Sequence, residues 1–350
     1  MSEIVRAKVA GTGAYLPGEP ITNRELGAAF GRDVERLSEM LGGDTRHLAL
    51  DLETGKLREG ESNAHMAYEA SLRALENAGL TAADVDLLIL STSTPDYPFP
   101  ATALFLQELL GLPECQVVEF RAGCGGMAQS FTMAEQFIAS GRSRVALLVG
   151  SELISPFHRL LSSGGPTPEK GDLVATAMFG DGAGAAVLVH SEGPEDGAIL
   201  GCMFRSIGGG HAPGMILKTG GALSPAGLEG PHDGPAFVHD FRAILQRGPE
   251  LMERAAEWVS RSGIVADHQI TFYVPPQASS HLISSMSAKR DLQGAKVFSN
   301  FDKVGNTASA SIYIALDTMN REKHVQAGDI VVLLPSEATK WTFGAVILRW

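Results

Sequence analysis

Cysteine is scarce in this chain. Cys115, Cys124 and Cys202 are the only three among 350 residues. So few thiols, odd in number and without metal-ligand spacing, exclude a disulfide scaffold and a cysteine metal site, and a reducing cytoplasm is the expected compartment. Long apolar runs are also missing, which excludes a membrane-spanning helix. The opening Met1-Ser2-Glu3-Ile4-Val5-Arg6 lacks the apolar core of a secretory signal. Positive charge is in deficit: 28 Lys and Arg against 40 Asp and Glu leave a net charge of −12, which argues against a nucleic-acid partner. No Walker A, H-E-x-x-H or G-x-S-x-G motif occurs. Gly180-Asp181-Gly182-Ala183-Gly184 lacks the G-x-G-x-x-G spacing and leads into a strand, so it reads as a structural turn rather than a dinucleotide loop.

What is present is a large core rich in tight turns. Hydrophobic residues make up 44% and glycines number 40, enough for one large domain or two fused halves. Apolar strand-like runs (Leu87 to Leu90, Val145 to Val149, Ala185 to Val189, Ile270 to Val274, Ile330 to Leu334, Val346 to Leu348) alternate with helical stretches (Ala64 to Ala78, Gln129 to Ser140, Phe237 to Ser262, Thr307 to Met319). This alternation predicts α/β architecture with buried sheets. The halves echo each other: each holds a strand, a glycine-containing turn and a helix of small residues, with the joint expected near His190 to Ile199. Ser162 to Gly171 and Gly208 to Gly234 are turn-rich loops, lids or irregular surface.

Cys124 stands in Val117-Val118-Glu119-Phe120-Arg121-Ala122-Gly123-Cys124-Gly125-Gly126-Met127. A strand leads to a turn of small residues and then to a helix, placing a thiol near the helix start. Unpaired N–H groups and the positive end of the helix dipole there favour a thiolate. The flanking glycines leave room for a substrate. The alternative is a buried small hydrophobe, and the local sequence leaves the two readings even.

The segment around Cys124 resembles the nucleophile segment of ketoacyl-acyl-carrier-protein synthase III, a branch of the thiolase-fold condensing enzymes. Four further segments match that family in order: Gly11-Thr12-Gly13-Ala14-Tyr15-Leu16-Pro17 with Thr22-Asn23, Phe179 to Ala185, Gly305-Asn306-Thr307-Ala308-Ser309-Ala310-Ser311, and Phe343-Gly344-Ala345 running to Arg349-Trp350. The resemblance spans nearly the whole chain. It implies a thiolase-like fold of two duplicated halves in α-β-α-β-α layers, residues 1–190 carrying Cys124 and residues 191–350 carrying Asn306. It also implies a homodimer, a coenzyme A or acyl-carrier-protein thioester as substrate and partner, and no cofactor. Asn306, in isolation a helix cap, becomes an amide that can donate to a thioester carbonyl or enolate oxygen. Thr339 falls where the family's glycine-rich loop supplies an oxyanion-hole N–H beside that of Cys124. Phe99, in Pro98-Phe99-Pro100, resembles the residue that crosses the dimer interface into the partner's acyl pocket.

One departure bears on the reaction. Where the family carries Val-Pro-His-Gln-Ala, this chain reads Val274-Pro275-Pro276-Gln277-Ala278. Proline has no ring N–H to donate and cannot act as a base, so Pro276 leaves the histidine position degenerate. His281 is expected to face elsewhere, and His158, His211, His232 and His239 read as surface histidines. The family's coenzyme A-gripping tryptophan and arginine fall near Arg36 and Met40, so the adenine-stacking aromatic is missing. The loop Pro335 to Lys340 replaces glycines; within it Glu337 reads as a solvated loop glutamate or, if it reaches the site, as a base. Three functions follow: an acyltransferase that loads Cys124 and passes the acyl group to a nucleophile, in a specialised secondary-metabolite pathway; a carbon–carbon condensing enzyme with an atypical base; or a non-catalytic partner of an active paralogue. The retained Cys124 and Asn306 oppose the third, and the lost histidine favours the first.

Overall fold

The computed structural model of the chain describes residues 6–157, 170–191, 193, 197–218, 220–223, 237–289 and 292–350. Its first half runs β1 (Arg6–Tyr15), β2 (Ile21–Thr22), α1 (Asn23–Phe30), α2 (Arg32–Leu41), β3 (Thr45–Arg46), α3 (Asn63–Ala78) and β4 (Leu87–Ser91). There follow α4 (Thr102–Leu109), β5 (Gln116–Phe120), α5 (Gly126–Ala139), β6 (Val145–Glu152), α6 (Lys170–Met178) and β7 (Gly182–Ser191). The second half runs β8 (Ile199–Ser206), β9 (Met215–Leu217), β10 (Phe237–His239), α7 (Phe241–Ser262), β11 (Ile270–Val274) and α8 (Ser280–Lys289). It ends with β12 (Lys296–Val297), α9 (Phe301–Val304), α10 (Ser311–Arg321), β13 (Ile330–Leu333), β14 (Ser336–Glu337) and β15 (Thr342–Arg349).

Two sheets share one topology. The first has the order β1-β7-β6-β4-β5; β1 and β6 flank β7 antiparallel, while β6, β4 and β5 run parallel. The second repeats it: β8 and β13 flank β15 antiparallel, while β13, β11 and β12 run parallel. Parallel strands covered on both faces must be apolar throughout, and Leu87-Leu88-Ile89-Leu90 and Ala146-Leu147-Leu148-Val149 are fully buried. Between the sheets lie α5 and α10, whose Phe131, Ile138, Tyr313 and Leu316 share one core with Leu148 and Leu188 of the first sheet and Val274 and Val346 of the second. α3 covers the outer face of the first sheet and α7 that of the second, giving α-β-α-β-α layers. Burying a ring such as Phe131 contributes about 2–3 kcal/mol.

Local differences from the sequence reading have identifiable causes. The helix expected over Phe237 to Ser262 divides at Asp240, whose carboxylate accepts from Ala243 N at 2.9 Å and caps α7. The helix expected from Thr307 starts as a tight turn, Ala308–Ala310, before α10. Of the two turn-rich loops, residues 162–169, 219 and 224–234 lie outside the described residues. Among the described residues no helix is long and apolar enough to cross a membrane.

Candidate active site

The candidate site draws on residues at or just beyond strand ends, as expected at the carboxyl ends of open α/β sheets. Cys124 follows β5, Glu152 ends β6, Pro276 follows β11 and Glu337 follows β13. The Cys124 turn closes by Gly126 N donating to the Gly123 carbonyl at 2.9 Å, and α5 begins at Gly126. The thiol thus stands just before the first turn of the helix, near the helix start as expected. The glycines make room for neighbouring protein, not for a substrate as expected. A Cβ on Gly126 would stand 1.7 Å from Ser91 Oγ, and one on Gly125 would stand 2.7 Å from Thr342 Oγ1.

Asn306 reaches the thiol from the other half. Gly305 before it has φ +71°, a left-handed conformation suited to glycine. The Asn306 backbone is held on both sides, its N–H donating to the Met178 carbonyl at 2.9 Å and its carbonyl accepting from Gly180 N at 3.0 Å. Asn306 Oδ1 accepts from Ala308 N at 2.8 Å and from Ser311 Oγ at 3.1 Å, and the Cys124 thiol donates to it at 3.9 Å. A backbone N–H can only donate, so the amide's orientation is fixed and its NH₂ edge is the one that can donate to a substrate oxygen. Asn306 therefore caps its own turn and faces the nucleophile at once. Asp181 of the glycine-rich signature is a structural knot: buried, it accepts from Ala49 N, Ile154 N, Ser155 N and the Ser155 hydroxyl.

Glu337 is buried, not a solvated loop residue. β14 continues along β15 beyond the Leu334-Pro335 break, pairing Glu337 with Thr342, and this carries its carboxylate under the nucleophile turn. Oε1 accepts from Gly123 N at 3.2 Å and from the Thr339 hydroxyl; Oε2 accepts from Thr342 Oγ1 at 3.2 Å. The Thr339 side chain thus serves Glu337. Pro276 is buried at the end of β11, where Leu334 N donates to the Val274 carbonyl at 2.9 Å, so the strand bearing Glu337 is the neighbour of the strand bearing Pro276. Gln277 fixes that corner, donating to the Pro275 carbonyl at 2.8 Å and accepting from Ser299 Oγ at 2.8 Å.

The electrostatics oppose a resting thiolate. Burial, then the Glu337 and Glu152 carboxylates, push the Cys124 thiol well above its ordinary range, against the stabilising hydrogen bond of its own backbone. Burial also raises the Glu337 carboxyl, against hydrogen bonds from Thr339, Thr342 and Gly123. Burial pushes Glu152 up to about 7, against hydrogen bonds from Thr94, Ser93 and Ser309. Cys124 remains partly exposed, as an accessible nucleophile must.

Sequence reasoning missed Glu152. Its signal was an acidic residue at the end of a wholly apolar strand. It also read His239 as surface, whereas His239 is 8% exposed. His211 stands 3.4 Å from Arg247 Nη1 and His281 is exposed; His158 and His232 lie outside the described residues. Phe99 is 85% exposed. Arg36 and Met40 lie on α2, with Met40 exposed.

Comparison with known proteins fits this geometry. The family description 3-oxoacyl-[acyl-carrier-protein (ACP)] synthase III matches residues 118–208, and that of its C-terminal region matches residues 261–350. A beta-ketoacyl-[acyl-carrier-protein] synthase III of Xylella fastidiosa strain Temecula1 is 32% identical over 357 aligned positions, covering 100% of both chains. One from Rhodospirillum centenum is 33% identical, covering 99% of each. Among solved structures, AbyA1, a tetronic acid condensing enzyme, superposes with a TM-score of 0.88 at 28% identity, covering 98% of this chain and 100% of that one. The 3-oxoacyl-[acyl-carrier-protein] synthase III of Aquifex aeolicus VF5 gives 0.80 at 28% identity, with the same coverage.

Proposed function

Because this chain belongs to the 3-oxoacyl-[acyl-carrier-protein] synthase III family, we propose that it is an acyltransferase that takes an acyl group from a coenzyme A or carrier-protein thioester onto Cys124 and passes it to an acceptor nucleophile in a specialised pathway. The observation that carries this reading is the buried Glu337 carboxylate beneath the Cys124 turn, together with Pro276 in the sequence segment where the family carries a histidine. In loading, the Cys124 sulfur attacks the thioester carbonyl, the carbon–sulfur bond to the carrier breaks, and the thiol proton ends on the departing carrier thiol. The Cys124 N–H and the backbone at Thr339 are the proposed oxyanion hole, and the Asn306 NH₂ edge steadies the thioester carbonyl. In transfer, Glu337 accepts the proton of the incoming hydroxyl, amine or thiol, and the Cys124 thiolate released by collapse of the adduct recovers it. Proline cannot stabilise the enolate that follows malonyl decarboxylation, and losing one such donor costs about 10²–10³ in rate.

AbyA1 favours a second reading, carbon–carbon condensation with Glu337 as the atypical base. Incubation with a panel of acyl thioesters followed by intact-mass measurement tests the proposal. One acyl mass should appear on the wild type and none on Cys124→Ala, while carbon dioxide release from malonyl thioesters stays near background. Brisk release would favour condensation; an adduct surviving in Cys124→Ala would end the Cys124 assignment. We also propose that the two halves, 1–190 and 191–350, are the family's duplicated domains, and that the exposed Phe99 serves a second copy's pocket in a homodimer.

A further inference from the structure

The turns that carry Cys124 and Asn306 come from different halves of the chain, and one buried carboxylate joins the segments that support them. Glu152 ends β6 and is fully buried. On one side it holds the chain leaving β4: Ser93 N donates to Oε1 at 2.9 Å and the Thr94 hydroxyl to Oε2 at 2.6 Å. That chain abuts the nucleophile turn. A Cβ on Gly123 would stand 3.2 Å from Ser93 Oγ, and Ser91 Oγ donates to the Ala122 carbonyl at 2.7 Å. On the other side Glu152 accepts from the hydroxyl and backbone of Ser309, whose Oγ also reaches the Ser151 carbonyl at 3.4 Å. Ser309 lies in the tight turn Ala308–Ala310, next to the Ala308 N–H that donates to Asn306 Oδ1 at 2.8 Å. Packing alone does not call for a carboxylate here. Its burial costs free energy unless its oxygens are satisfied, and a hydrocarbon of similar shape would fill the space. What the carboxylate adds is two acceptor oxygens that fix donors from both halves at once.

We propose that Glu152 is a positioning residue for acyl loading: by tying the Ser93-Thr94 segment to the turn after Asn306, it holds the Asn306 NH₂ edge in register with the Cys124 thiol. This rests on the reading of Cys124 as the acyl-accepting residue. The carboxylate takes no part in the bond changes at sulfur. It acts through Asn306, so its effect should vanish where the amide is absent.

The test is a double-mutant cycle on the full chain, read as the rate of Cys124 acylation by intact mass. The probe is whichever of the acetyl, butanoyl, hexanoyl and decanoyl N-acetylcysteamine thioesters loads wild type fastest. Glu152→Asp keeps the charge but withdraws the carboxylate by one methylene, and it should slow loading about tenfold or more. In the Asn306→Ala background, itself slow, the same change should cost less than about twofold. Alkylation by iodoacetamide, which needs the thiol but not the amide, should be left unchanged by Glu152→Asp. Glu152→Gln, which keeps the reach and one acceptor oxygen, should load faster than Glu152→Asp; the reverse order would assign the effect to charge and overturn the proposal. Equal slowing by Glu152→Asp in both backgrounds, or equal slowing of loading and alkylation, would overturn it too. Thermal melting identifies a variant that fails to fold. Should Asn306→Ala be lost in this way, the split between loading and alkylation and the order of the two Glu152 variants decide. If no thioester loads wild-type Cys124, the acyl-transfer reading fails and the inference falls with it; loading that Glu152→Asp leaves unslowed refutes the inference alone.

Discussion

A thiol enclosed with two buried carboxylates holds its proton, and that fixes what single side chains here should do. The Glu337 charge disfavours the Cys124 thiolate, so removing it while keeping the shape should make the thiol more acidic. Glu337→Gln is therefore expected to shift the pH profile of Cys124 alkylation by iodoacetamide to lower pH, with a rate about tenfold higher at fixed pH. An unchanged profile would show that the carboxylate does not act on the thiol. The same variant should keep acyl loading but slow transfer to the acceptor, because the proton acceptor is gone; equal transfer rates would remove Glu337 from the mechanism. Cys124 and Asn306 were legible because their flanking segments are short, local and distinctive. Glu337 was not fully legible: an isolated glutamate in a polar loop looks solvated, and only the β14–β15 pairing brings it under Gly123. The helix-dipole argument for a thiolate failed for a related reason, since it weighs one helix end and not the charges that other strands deliver.

At the scale of elements, strands and helices were readable because buried parallel strands are continuous apolar runs, while their contacts were not. β6 shows both sides. Its apolar run was evident, but its glycine and its terminal acid gain meaning only from what packs on them. A Cβ at Gly150 would stand 2.2 Å from the Ser309 carbonyl oxygen, in the turn that follows Asn306. Gly150→Ala should thus push on the Asn306 turn, costing roughly 2–4 kcal/mol of stability and impairing acylation even though Cys124 is intact; a variant melting within a degree or so of wild type would contradict this. Glu152 gives a pH signature. Burial raises its folded-state pKa from the ordinary value to about 7, so between the two values the folded state binds the proton and the unfolded state does not. Its contribution is fully present below the ordinary carboxylate range and is lost as pH rises through about 7. The loss amounts to roughly 2–4 kcal/mol. Glu152→Gln should flatten this part of the stability curve in urea titrations at stepped pH; an identical slope in the variant would refute it.

At the scale of the whole molecule, the five-segment resemblance carried the architecture, and the twin sheets supply its physical logic. Each sheet buries one face on α5 and α10 and the other on an outer helix, so neither would be covered without the other half. A single chain's sequence says less about surfaces that a second copy would cover. The stretch from Tyr97 to Leu109 presents Tyr97, Phe99, Leu104 and Leu109 to solvent, with Phe99 at 85% exposure, a concentration of apolar area that marks interaction sites on soluble proteins. If two copies meet there, light scattering should give about twice 37.0 kDa at micromolar concentration. Phe99→Asp should dissociate the pair: each copy loses about 2–3 kcal/mol of ring burial, and with two copies the dissociation constant rises by about 10³ or more. Because Phe99 is a surface residue of its own chain, the monomeric variant should still alkylate at Cys124 while losing discrimination by acyl-chain length. A wild-type monomer would remove both the dimer and the shared pocket; a Phe99→Asp dimer with unaltered chain-length preference would remove Phe99 from the pocket and leave the interface to the rest of the patch.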